Sequence, residues 1–557
     1  MGRLIGIDLG TTKCAVAAMV NGEPTIIPNR YGDLTTPSVV SFDEQARPII
    51  GKQAFSQATI NPYNSFFNLK RSMGTSLIFK VGNKKLRPQQ IVGLLLMEMK
   101  SIAQEYLKET IDGAVVSVPA CFNDAQRWFT IDAGSYAGLK IERIINEPSA
   151  AALYYYYRKR QSVSHLKDQE TCVIYDLGGG TFDVSLLNIG ESCSIYEILA
   201  VGGNTDLGGI NFDNIIARWL IDKVKKLCPR TEIEYDAILC DRLMETAEQA
   251  KITLSSCNSV EIHIPYLTKY ENNWIHLDAV LSREEYEKMT ETLISETIRI
   301  CESTIVDSGL KKNEINRVLL IGKQSRMPAI NHEVKKIFSQ KTSVHSIFED
   351  EIVALGTAIE AGILEHADNT EDLLMLDVLP YSLGVETLGG VSSRMIERNA
   401  TIPTSRREIF TTSENNQTDV LIKVLQGERE FTRDNRVIGI LHLTGIEQAP
   451  ARIPQIEVCF DINHNGVISV SAKDLATGNE VKSTIKDRGE HIEPKEGLVC
   501  PYGRWLRGDT TKAIKYREIH EKYENYTKKD SQPHIFGLRQ KFYKIISNWY
   551  RNKIKKI

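Results

Sequence analysis

"LIGIDLGTTK", at residues 4–13, and "VIYDLGGGTFD", at residues 173–183, follow one plan. In each, an apolar run typical of a buried strand ends in Asp-Leu-Gly and continues into a turn of glycine and threonine. Such a turn presents free backbone N–H groups, and glycine lets the backbone pass close to an anion. A single copy is also common in ordinary turns. The pair predicts duplicated halves that hold one nucleotide polyphosphate from both sides.

Asp8 and Asp176 stand at the ends of these two apolar runs. A carboxylate in that position can hold the waters of a magnesium ion that bridges phosphates. The sequence therefore predicts Mg²⁺ bound through water by Asp8 and Asp176.

The bulk properties limit the class of protein. A chain of 557 residues is too long for one core and predicts about three or four domains. The longest apolar runs are far shorter than the ~20 residues of a membrane-spanning helix, so no transmembrane segment is expected. Ten cysteines without a C-x-x-C pair argue against a zinc site or a disulfide framework, which favours a cytoplasmic location.

The end of the chain is basic. Residues 491–557 contain 16 Lys and Arg against 7 Asp and Glu, which gives +9 (16 − 7) in a chain of net charge −3. A solvated helical tail, an acidic partner, a membrane surface and nucleic acid all remain open on charge alone. One apolar stripe recurs at helical spacing within it, as docked core or as a partner face: Ile535, Leu538, Phe542, Ile545 and Trp549.

The rest of the chain shows two different patterns of apolar and polar residues. Up to about residue 370, strand-like runs alternate with long amphipathic segments, which predicts a layered α/β architecture. From Val378 to about Lys486, short alternating strands with turn signals predict a β-sandwich. In "PQIEVCFDINHNGVISVSAKD", Ile456, Val458 and Phe460 alternate at period two, and Asn465-Gly466 supplies a turn.

Eight ordered motifs give a specific resemblance: "GIDLGTT" (6–12), "VPACFNDAQR" (118–127), "RIINEPSAAAL" (143–153), "YDLGGGTFDVS" (175–185), "LGGINFD" (207–213), "QAKITLS" (249–255), "VALGTAIEAG" (353–362) and "PYSLGVETLGG" (380–390). Over residues 3–490 the chain resembles the seventy-kilodalton heat-shock chaperones. "PYSLGVE", "IERNA" (396–400) and "VALGTAI" are most similar to the shorter HscC-type members. The resemblance implies a duplicated actin-like ATPase domain (1–371), a linker (372–377), a β-sandwich peptide-binding domain (378–490) and a truncated or replaced helical lid (491–557).

The resemblance also assigns roles in ATP hydrolysis. Lys70 would place a cation beside the γ-phosphate, while Glu147 and Asp176 would orient the attacking water and the magnesium shell, with Asp8 opposite. Thr11, Thr12 and Thr181 would contact phosphate oxygens. The nucleotide-binding residues implied in this way are Gly10, Thr11, Thr12, Lys13, Gly178, Gly179, Gly180, Gly208, Gly209, Glu248, Lys251, Ser255, Gly322, Arg326 and Asp350. ATP or ADP with Mg²⁺ is the expected cofactor, and the family pattern admits K⁺.

The chain departs from the family pattern at the nucleotide edge. Lys323 follows Gly322 where a second glycine is usual, and Asn204, Ile210 and Asn211 stand where acidic residues are common. These departures add a long cation to the nucleotide edge and remove acids that relatives use there, so nucleotide affinity and turnover are expected to differ from those of a standard member.

The resemblance also implies which residues contact protein partners. Arg143, Asn146 and Asp377 match positions that couple to J-domain cochaperones, and the apolar linker Leu373–Leu376 is expected to dock on the ATPase domain when ATP is bound. The implied peptide-binding residues are Thr387, Leu388, Phe410, Ser413, Val420, Ile422 and Val467. A nucleotide exchange factor also fits the family; no nucleic acid is expected.

Three functions follow from these patterns. The first is an ATP-dependent chaperone that binds exposed apolar segments of unfolded proteins. The second is a nucleotide-gated binding or regulatory protein with little hydrolysis, which the departures permit. The third, a sugar or glycerol kinase on the same core, leaves the linker and sandwich unexplained. Single-turnover ATP hydrolysis with and without peptide separates the first two.

Overall fold

The computed structural model describes residues 2–58, 61–162, 169–190, 195–229, 237–270, 273–338, 342–346, 351–370 and 373–485. All of them belong to one compact unit, Met1–Gly508. The predicted basic tail, its apolar stripe and Asp350 lie outside the described residues. No helix in the described ranges is long and apolar enough to span a bilayer.

The elements of the first third of the chain are β1 (Arg3–Leu9), β2 (Lys13–Val20), β3 (Glu23–Ile27), β4 (Thr36–Pro37), β5 (Val40–Phe42), β6 (Pro48–Ile50), α1 (Lys52–Ala58), β7 (Ser65–Phe66), β8 (Phe79–Val81), β9 (Lys84–Leu86), α2 (Pro88–Leu107), β10 (Ile111–Val118), α3 (Asp124–Tyr136), β11 (Lys140–Asn146) and α4 (Glu147–Ser162).

The middle of the chain forms β12 (Glu170–Leu177), β13 (Phe182–Ile189), β14 (Ile195–Asn204), α5 (Gly209–Leu227), α6 (Ala237–Leu254), β15 (Ser259–Tyr270), β16 (Asn273–Ser282), α7 (Arg283–Asp307), β17 (Arg317–Ile321), α8 (Pro328–Ile337), β18 (Ser343–Ser346), α9 (Ile352–Glu365) and β19 (Leu374–Val378). The last described part forms β20 (Leu383–Thr387), β21 (Val391–Ile396), β22 (Thr401–Ile402), β23 (Thr404–Phe410), β24 (Asp419–Gln426), β25 (Arg436–Thr444), β26 (Ile456–Ile462), β27 (Ile468–Asp474) and β28 (Glu480–Thr484).

Two mixed sheets repeat one strand order, as the paired motifs predict. The first sheet runs β11-β10-β1-β2-β3, and the second runs β18-β17-β12-β13-β14 before it continues further. In both, a parallel pair adjoins an antiparallel meander: β1 pairs with β10 and β2, and β12 pairs with β17 and β13. The predicted α/β alternation is confirmed, because helices such as α2 and α6 follow the amphipathic runs read from the sequence.

The C-terminal strands form two four-stranded sheets, β21-β20-β24-β25 and β23-β26-β27-β28. Both sheets contribute to one hydrophobic core, which includes Leu383, Val424, Phe460 and Val470. The alternation predicted for β26 and β27 is confirmed, since the even-numbered positions from 456 to 462 and from 468 to 474 are buried. Gly466 has a φ of 72°, which suits the predicted turn between them.

The apolar linker is a strand of the second sheet. β19 pairs in parallel with β14, with Met375 opposite Tyr196, and in antiparallel with β22, where Asp377 lies opposite Ile402. Leu373 and Met375 are buried in a core that also contains Tyr156 and Tyr196, while Leu374 stays half exposed. The second sheet therefore passes through the linker to β22, which lies in the chain between β21 of one C-terminal sheet and β23 of the other.

Candidate functional site

The two Gly/Thr turns meet across one cleft. The β1–β2 turn carries Gly10, Thr11 and Thr12, and the β12–β13 turn carries Gly178–Thr181. A Cβ atom on Gly179 would lie 2.7 Å from Thr12 Cγ2, and one on Gly180 would collide with the Thr11 side chain. Glycine is therefore required at both positions, because threonines of the opposite turn fill the space.

A third segment closes around the second turn. The backbone N–H of Gly209 donates to Gly178 O at 2.9 Å, and that of Ile210 donates to Gly179 O at 2.8 Å. A Cβ on Gly208 would run into the Gly180 backbone. The start of α5 thus fixes the shape of the turn that the sequence assigned to phosphate binding.

Buried acids surround one buried lysine at the ends of β1 and β12. Lys70 forms an ion pair with Glu147, the first residue of α4, and only about 4% of Lys70 is exposed. Ser117 Oγ donates to Asp8 Oδ1 at 2.7 Å, which orients that carboxylate. Asp176 lies on β12 directly opposite Asp183 on β13. Proton handling and cation binding are the chemistry that this cluster supports.

The electrostatics of the cluster fit a bound dication. Burial raises the pKa of Asp176 well above its ordinary value, and Glu147, Asp183 and Asp8 add to that effect while Lys70 opposes it. Burial and Glu147 raise the pKa of Asp183 to about 8. Within the described ranges no group of three or more His, Cys, Asp and Glu side chains forms a direct metal site. Water and phosphate oxygens would therefore complete the shell of an ion held by Asp8 and Asp176.

The cleft between the two sheets has a volume of about 990 Å³. It is lined by most of the predicted nucleotide residues, namely Asp8, Gly10, Thr11, Thr12, Lys13, Glu147, Asp176, Gly178, Gly179, Thr181, Gly209, Glu248, Lys251, Ser255, Gly322 and Arg326. Lys70, Gly180 and Gly208 lie behind this lining, where Lys70 pairs with Glu147 and the two glycines pack together.

The side of the cleft that is predicted to hold the base and ribose is built by α6 and the turn after β17. Lys251 Nζ forms an ion pair with Asp213 at 2.8 Å and donates to Gly209 O at 3.2 Å. Gly322 has a φ of 77°, and a Cβ there would lie 2.7 Å from Asp176 Oδ1. Lys323, the unusual residue after it, also lines the cleft.

The sequence reading missed several residues of this site. Arg71 is buried, donates from Nε to Gly180 O at 2.8 Å and from a terminal nitrogen to Asn211 Oδ1 at 2.7 Å. Burial lowers its pKa to about 10, so it stays a cation at neutral pH. Asp183 and Ser117 were also not singled out. Asp183 could have been found, because it ends the second quoted motif; Arg71 has no signal beyond its place after Lys70.

Each residue that departs from the family pattern has its own set of contacts in the structure. Asn211 Oδ1 accepts hydrogen bonds from Arg71 and from Gly208 N, the latter at 3.0 Å. Asn204 Oδ1 accepts from Asp206 N at 2.9 Å, and Ile210 is a buried residue of the cleft wall. Arg71 is thus held by a neutral amide and a backbone carbonyl, and the carboxylate of Asp206 is close enough to act on its charge.

The three predicted coupling residues meet at the linker strand. Asn146 donates from Nδ2 to both carboxylate oxygens of Asp377, at 2.7 and 2.8 Å, and accepts from Arg127 at 2.7 Å. Arg143 forms an ion pair of 2.6 Å with the buried Glu360 of α9. Burial raises the pKa of Asp377 and of Glu360. These residues tie the linker to β11 and α3 within the chain.

The predicted peptide residues do not all lie together. Thr387 ends β20 and Leu388 follows it, Val420 and Ile422 lie near the start of β24, and Phe410 ends β23. These residues and Ser413 therefore gather around one end of the C-terminal sheets. Val467 lies elsewhere. Phe410 is opposite Ile456 at the start of β26, whereas Val467 follows the far end of that strand, beyond Ile462. Val467 therefore lies apart from the other predicted peptide residues, and Ile456 is the neighbour of Phe410 on the adjacent strand.

One comparison bears on the whole chain. The family model described as Hsp70 protein matches residues 4–532, a range that includes the first sheet, the second sheet and the two C-terminal sheets. The match does not distinguish an HscC-type branch, so that assignment stays a prediction.

Proposed function

The chain belongs to the Hsp70 family, and from that premise we propose that it is an ATP-dependent chaperone that binds extended apolar segments of unfolded proteins. Family membership supports chaperone function, ATPase activity and the use of ATP or ADP with Mg²⁺ in general. One observation carries the finer proposal. The second sheet, which holds Asp176, continues through linker strand β19 to β22, which connects in the chain to β21 of one C-terminal sheet and to β23 of the other. A change at the nucleotide can therefore be transmitted through a continuous sheet.

The nucleotide would lie between the two Gly/Thr turns. Their backbone N–H groups and the hydroxyls of Thr11, Thr12 and Thr181 suit the phosphate oxygens, and Glu248, Lys251 and Ser255 suit the ribose and base. Mg²⁺, when bound by Asp8 and Asp176 through water, would neutralise charge that develops on the phosphates.

Hydrolysis requires a positioned water rather than covalent chemistry from the protein. Glu147 lines the cleft together with Asp176, and Lys70 holds Glu147 from behind that lining. We assign Glu147 and Asp176 to orienting the water, and Lys70 to stabilising the transferred phosphoryl group. Such preorganised charges are typically worth ~10²- to 10³-fold in rate each.

The peptide would bind at the end of the C-terminal sheets formed by Thr387, Leu388, Phe410, Ser413 and Ile422. Leu388 is about 81% exposed, so it is available to close over an extended chain. Ser413, on the loop after β23, offers a small polar partner. We infer that J-domain cochaperones act at the linker cluster of Arg143, Asn146 and Asp377, and that a nucleotide exchange factor would act on the cleft.

The eight cysteines in the described ranges are free thiols. Thiols in this state agree with a reducing compartment, and we propose the cytoplasm as the location.

A second function is favoured by one observation: Arg71 is held by the neutral Asn211, where relatives commonly have an acid. A loosely closed cleft could bind ATP and gate peptide binding with little turnover. Single-turnover hydrolysis of ATP, measured with and without an apolar peptide, separates the two. The proposed chaperone cycle predicts hydrolysis that peptide accelerates; intact ATP binding without hydrolysis would favour the gated binder.

The polypeptides that the chain binds can be identified with a variant that hydrolyses ATP slowly. Thr181→Ala is expected to slow hydrolysis, so bound polypeptides should be retained and recovered by pull-down, with wild type in ADP as the comparison. Confirmation of folding by circular dichroism is needed, since Thr181 is buried.

A further inference from the structure

Strands β15 and β16 form a two-stranded antiparallel sheet with one buried side and one exposed side. Ile262, Ile264 and Leu277 belong to the hydrophobic core beneath the sheet. The side chains that alternate with them are exposed to solvent. We call this exposed side the hairpin face. Its members are Glu261, His263, Tyr266 and Lys269 on β15, and Trp274, His276, Asp278 and Val280 on β16.

Aromatic rings that contact one another occupy the middle of the hairpin face. The centroid of the Tyr266 ring lies 4.8 Å from that of His276 and 5.7 Å from that of Trp274. Tyr266 is 59% exposed, Trp274 is 49% exposed and Val280 is 61% exposed. Exposed tyrosine and tryptophan that are already packed together lose little freedom when a partner binds, and such residues often supply most of the binding energy of an interface.

The bulge that presents Tyr266 is held in a fixed shape. Residues 265–267 lie opposite a single residue of the neighbouring strand, His276. Tyr266 has a φ of 49°, in the left-handed region that tyrosine rarely adopts. Arg242 of α6 donates to the three carbonyl oxygens of the bulge at 3.0 to 3.2 Å, and the backbone N–H of Tyr266 donates to His276 Nδ1 at 3.2 Å. A strained conformation that is braced in this way is typical of a functional surface.

The order of charges along β15 is complementary to a second copy of the same strand. Two hairpin faces can meet about a two-fold axis that lies in the interface and crosses the strands. Each strand then faces its own copy in the opposite direction, so that Glu261 of one copy lies opposite Lys269 of the other, and His263 lies opposite Tyr266. Because a two-fold interface repeats every contact, opposite charges meet at both ends of β15.

The same arrangement gives complementary neighbours along β16. Trp274 of one copy lies opposite Val280 of the other, so both exposed apolar side chains are covered. His276 lies opposite Asp278, an imidazole beside a carboxylate. The arrangement that joins unlike charges on β15 therefore also joins apolar groups on β16, and it brings no like charges of the hairpin face together.

We propose that the hairpin face is a self-association surface through which two copies of the chain form an antiparallel dimer. Its eight side chains are fewer than the roughly 20 to 30 residues that each partner contributes to a stable interface, so the dimer should be weak. The proposal depends on no step of ATP hydrolysis or peptide binding.

Sedimentation velocity of the full-length chain, measured in ADP over a range of protein concentrations, tests the proposal. Lys269→Glu should raise the dissociation constant of the dimer on the order of tenfold, because two pairs of like charges replace two pairs of opposite charges. Glu261→Lys should have the same effect for the same reason. The variant that carries both substitutions should return to within about threefold of wild type, since each lysine again lies opposite a glutamate.

Two further variants complete the test. Trp274→Ser should also weaken the dimer, because the contact with Val280 of the second copy is lost. Lys336→Glu is the matched control, since it reverses the charge of an exposed lysine on α8 that pairs with Glu333. It should leave self-association unchanged. A chain that stays monomeric at every concentration, a dimer that no hairpin variant weakens, or a double variant that fails to recover would each overturn the proposal.

Discussion

At the scale of single residues, the nucleotide site depends on pairs that fill each other's space. Thr11 and Thr12 occupy the positions that side chains at Gly180 and Gly179 would need. The sequence predicts the glycines from the requirements of phosphate binding, whereas the structure adds that the two turns support each other. That mutual support could not be read from either motif alone, because it depends on how the two sheets are placed.

Lys70→Ala should reduce single-turnover ATP hydrolysis ~10²- to 10³-fold, because the buried ammonium beside Glu147 would be lost. Nucleotide binding, measured by titration calorimetry, should change far less. Lys312→Ala is the control, since Lys312 forms an exposed ion pair with Glu302. Equal hydrolysis by both variants would remove Lys70 from the mechanism.

The cysteines should differ sharply in reactivity. Burial raises the pKa of Cys14 to about 11 and that of Cys172 and Cys301 to about 12, so these thiols hold almost no thiolate at pH 8. Cys257 is exposed. Alkylation by iodoacetamide at pH 8, mapped by mass spectrometry on the native protein, should modify Cys257 well before the three buried thiols. Early modification of Cys14 would show that the cleft opens widely.

At the scale of elements, β19 is a strand whose pairing could not be predicted from the sequence. Its apolar character predicted docking, but not that it would become an internal strand between β14 and β22. A five-residue run lacks the length to reveal its partners, since strand pairing is decided by residues far away in the chain. The same limit explains why the sequence did not predict the separation of Val467 from Phe410, since the end of the sandwich at which Val467 lies is set by the pairing register of β23 and β26.

The two faces of β19 give a matched pair of tests. Met375→Asp would place a carboxylate in an apolar core and should cost more than about 3 kcal/mol of linker docking. Leu374→Asp, on the half-exposed face, should be tolerated. Limited proteolysis of the linker, with peptide stimulation of ATP hydrolysis as a second readout, should separate the variants. Similar cleavage of both would contradict the strand pairing.

Because Phe410 and Val467 lie apart, substitutions at these two positions should have opposite effects on peptide affinity. Phe410→Ser should weaken binding of an apolar peptide about tenfold or more, because Phe410 lies at the end of the sheets with Thr387 and Ile422. Val467→Ser, in the turn between β26 and β27, should leave peptide affinity unchanged. Fluorescence anisotropy of a labelled peptide decides between them. Loss of affinity in Val467→Ser would restore the original placement.

At the scale of the whole molecule, closure of the cleft depends on residues that cross between the two halves. Arg71, which follows Lys70, reaches the second Gly/Thr turn and the start of α5. The duplicated strand order was predictable from the two motifs, since each specifies a strand followed by a turn. The crossing contacts were not, because arginine can pair with many acceptors and its partner here is a backbone carbonyl.

Arg71→Ala should speed release of ADP, on the order of tenfold, because the cleft would lose the buried charge-assisted hydrogen bonds of Arg71. Stopped-flow chase of a fluorescent ADP measures the rate. Arg299→Ala, which removes only an exposed pair with Glu296 on α7, serves as the comparison. If both variants release ADP as wild type does, closure must rest on other contacts.

The pairing of β19 with β14 has a further consequence for the molecule's behaviour in a crowded solution. When the linker leaves, β14 becomes an open sheet edge with a row of unsatisfied N–H and C=O groups. Such an edge is a template for any other extended chain, including the linker of a neighbouring copy. Release of the linker from β14 would therefore expose an edge that pairs with other chains, and self-association should be greatest in the state whose linker is detached.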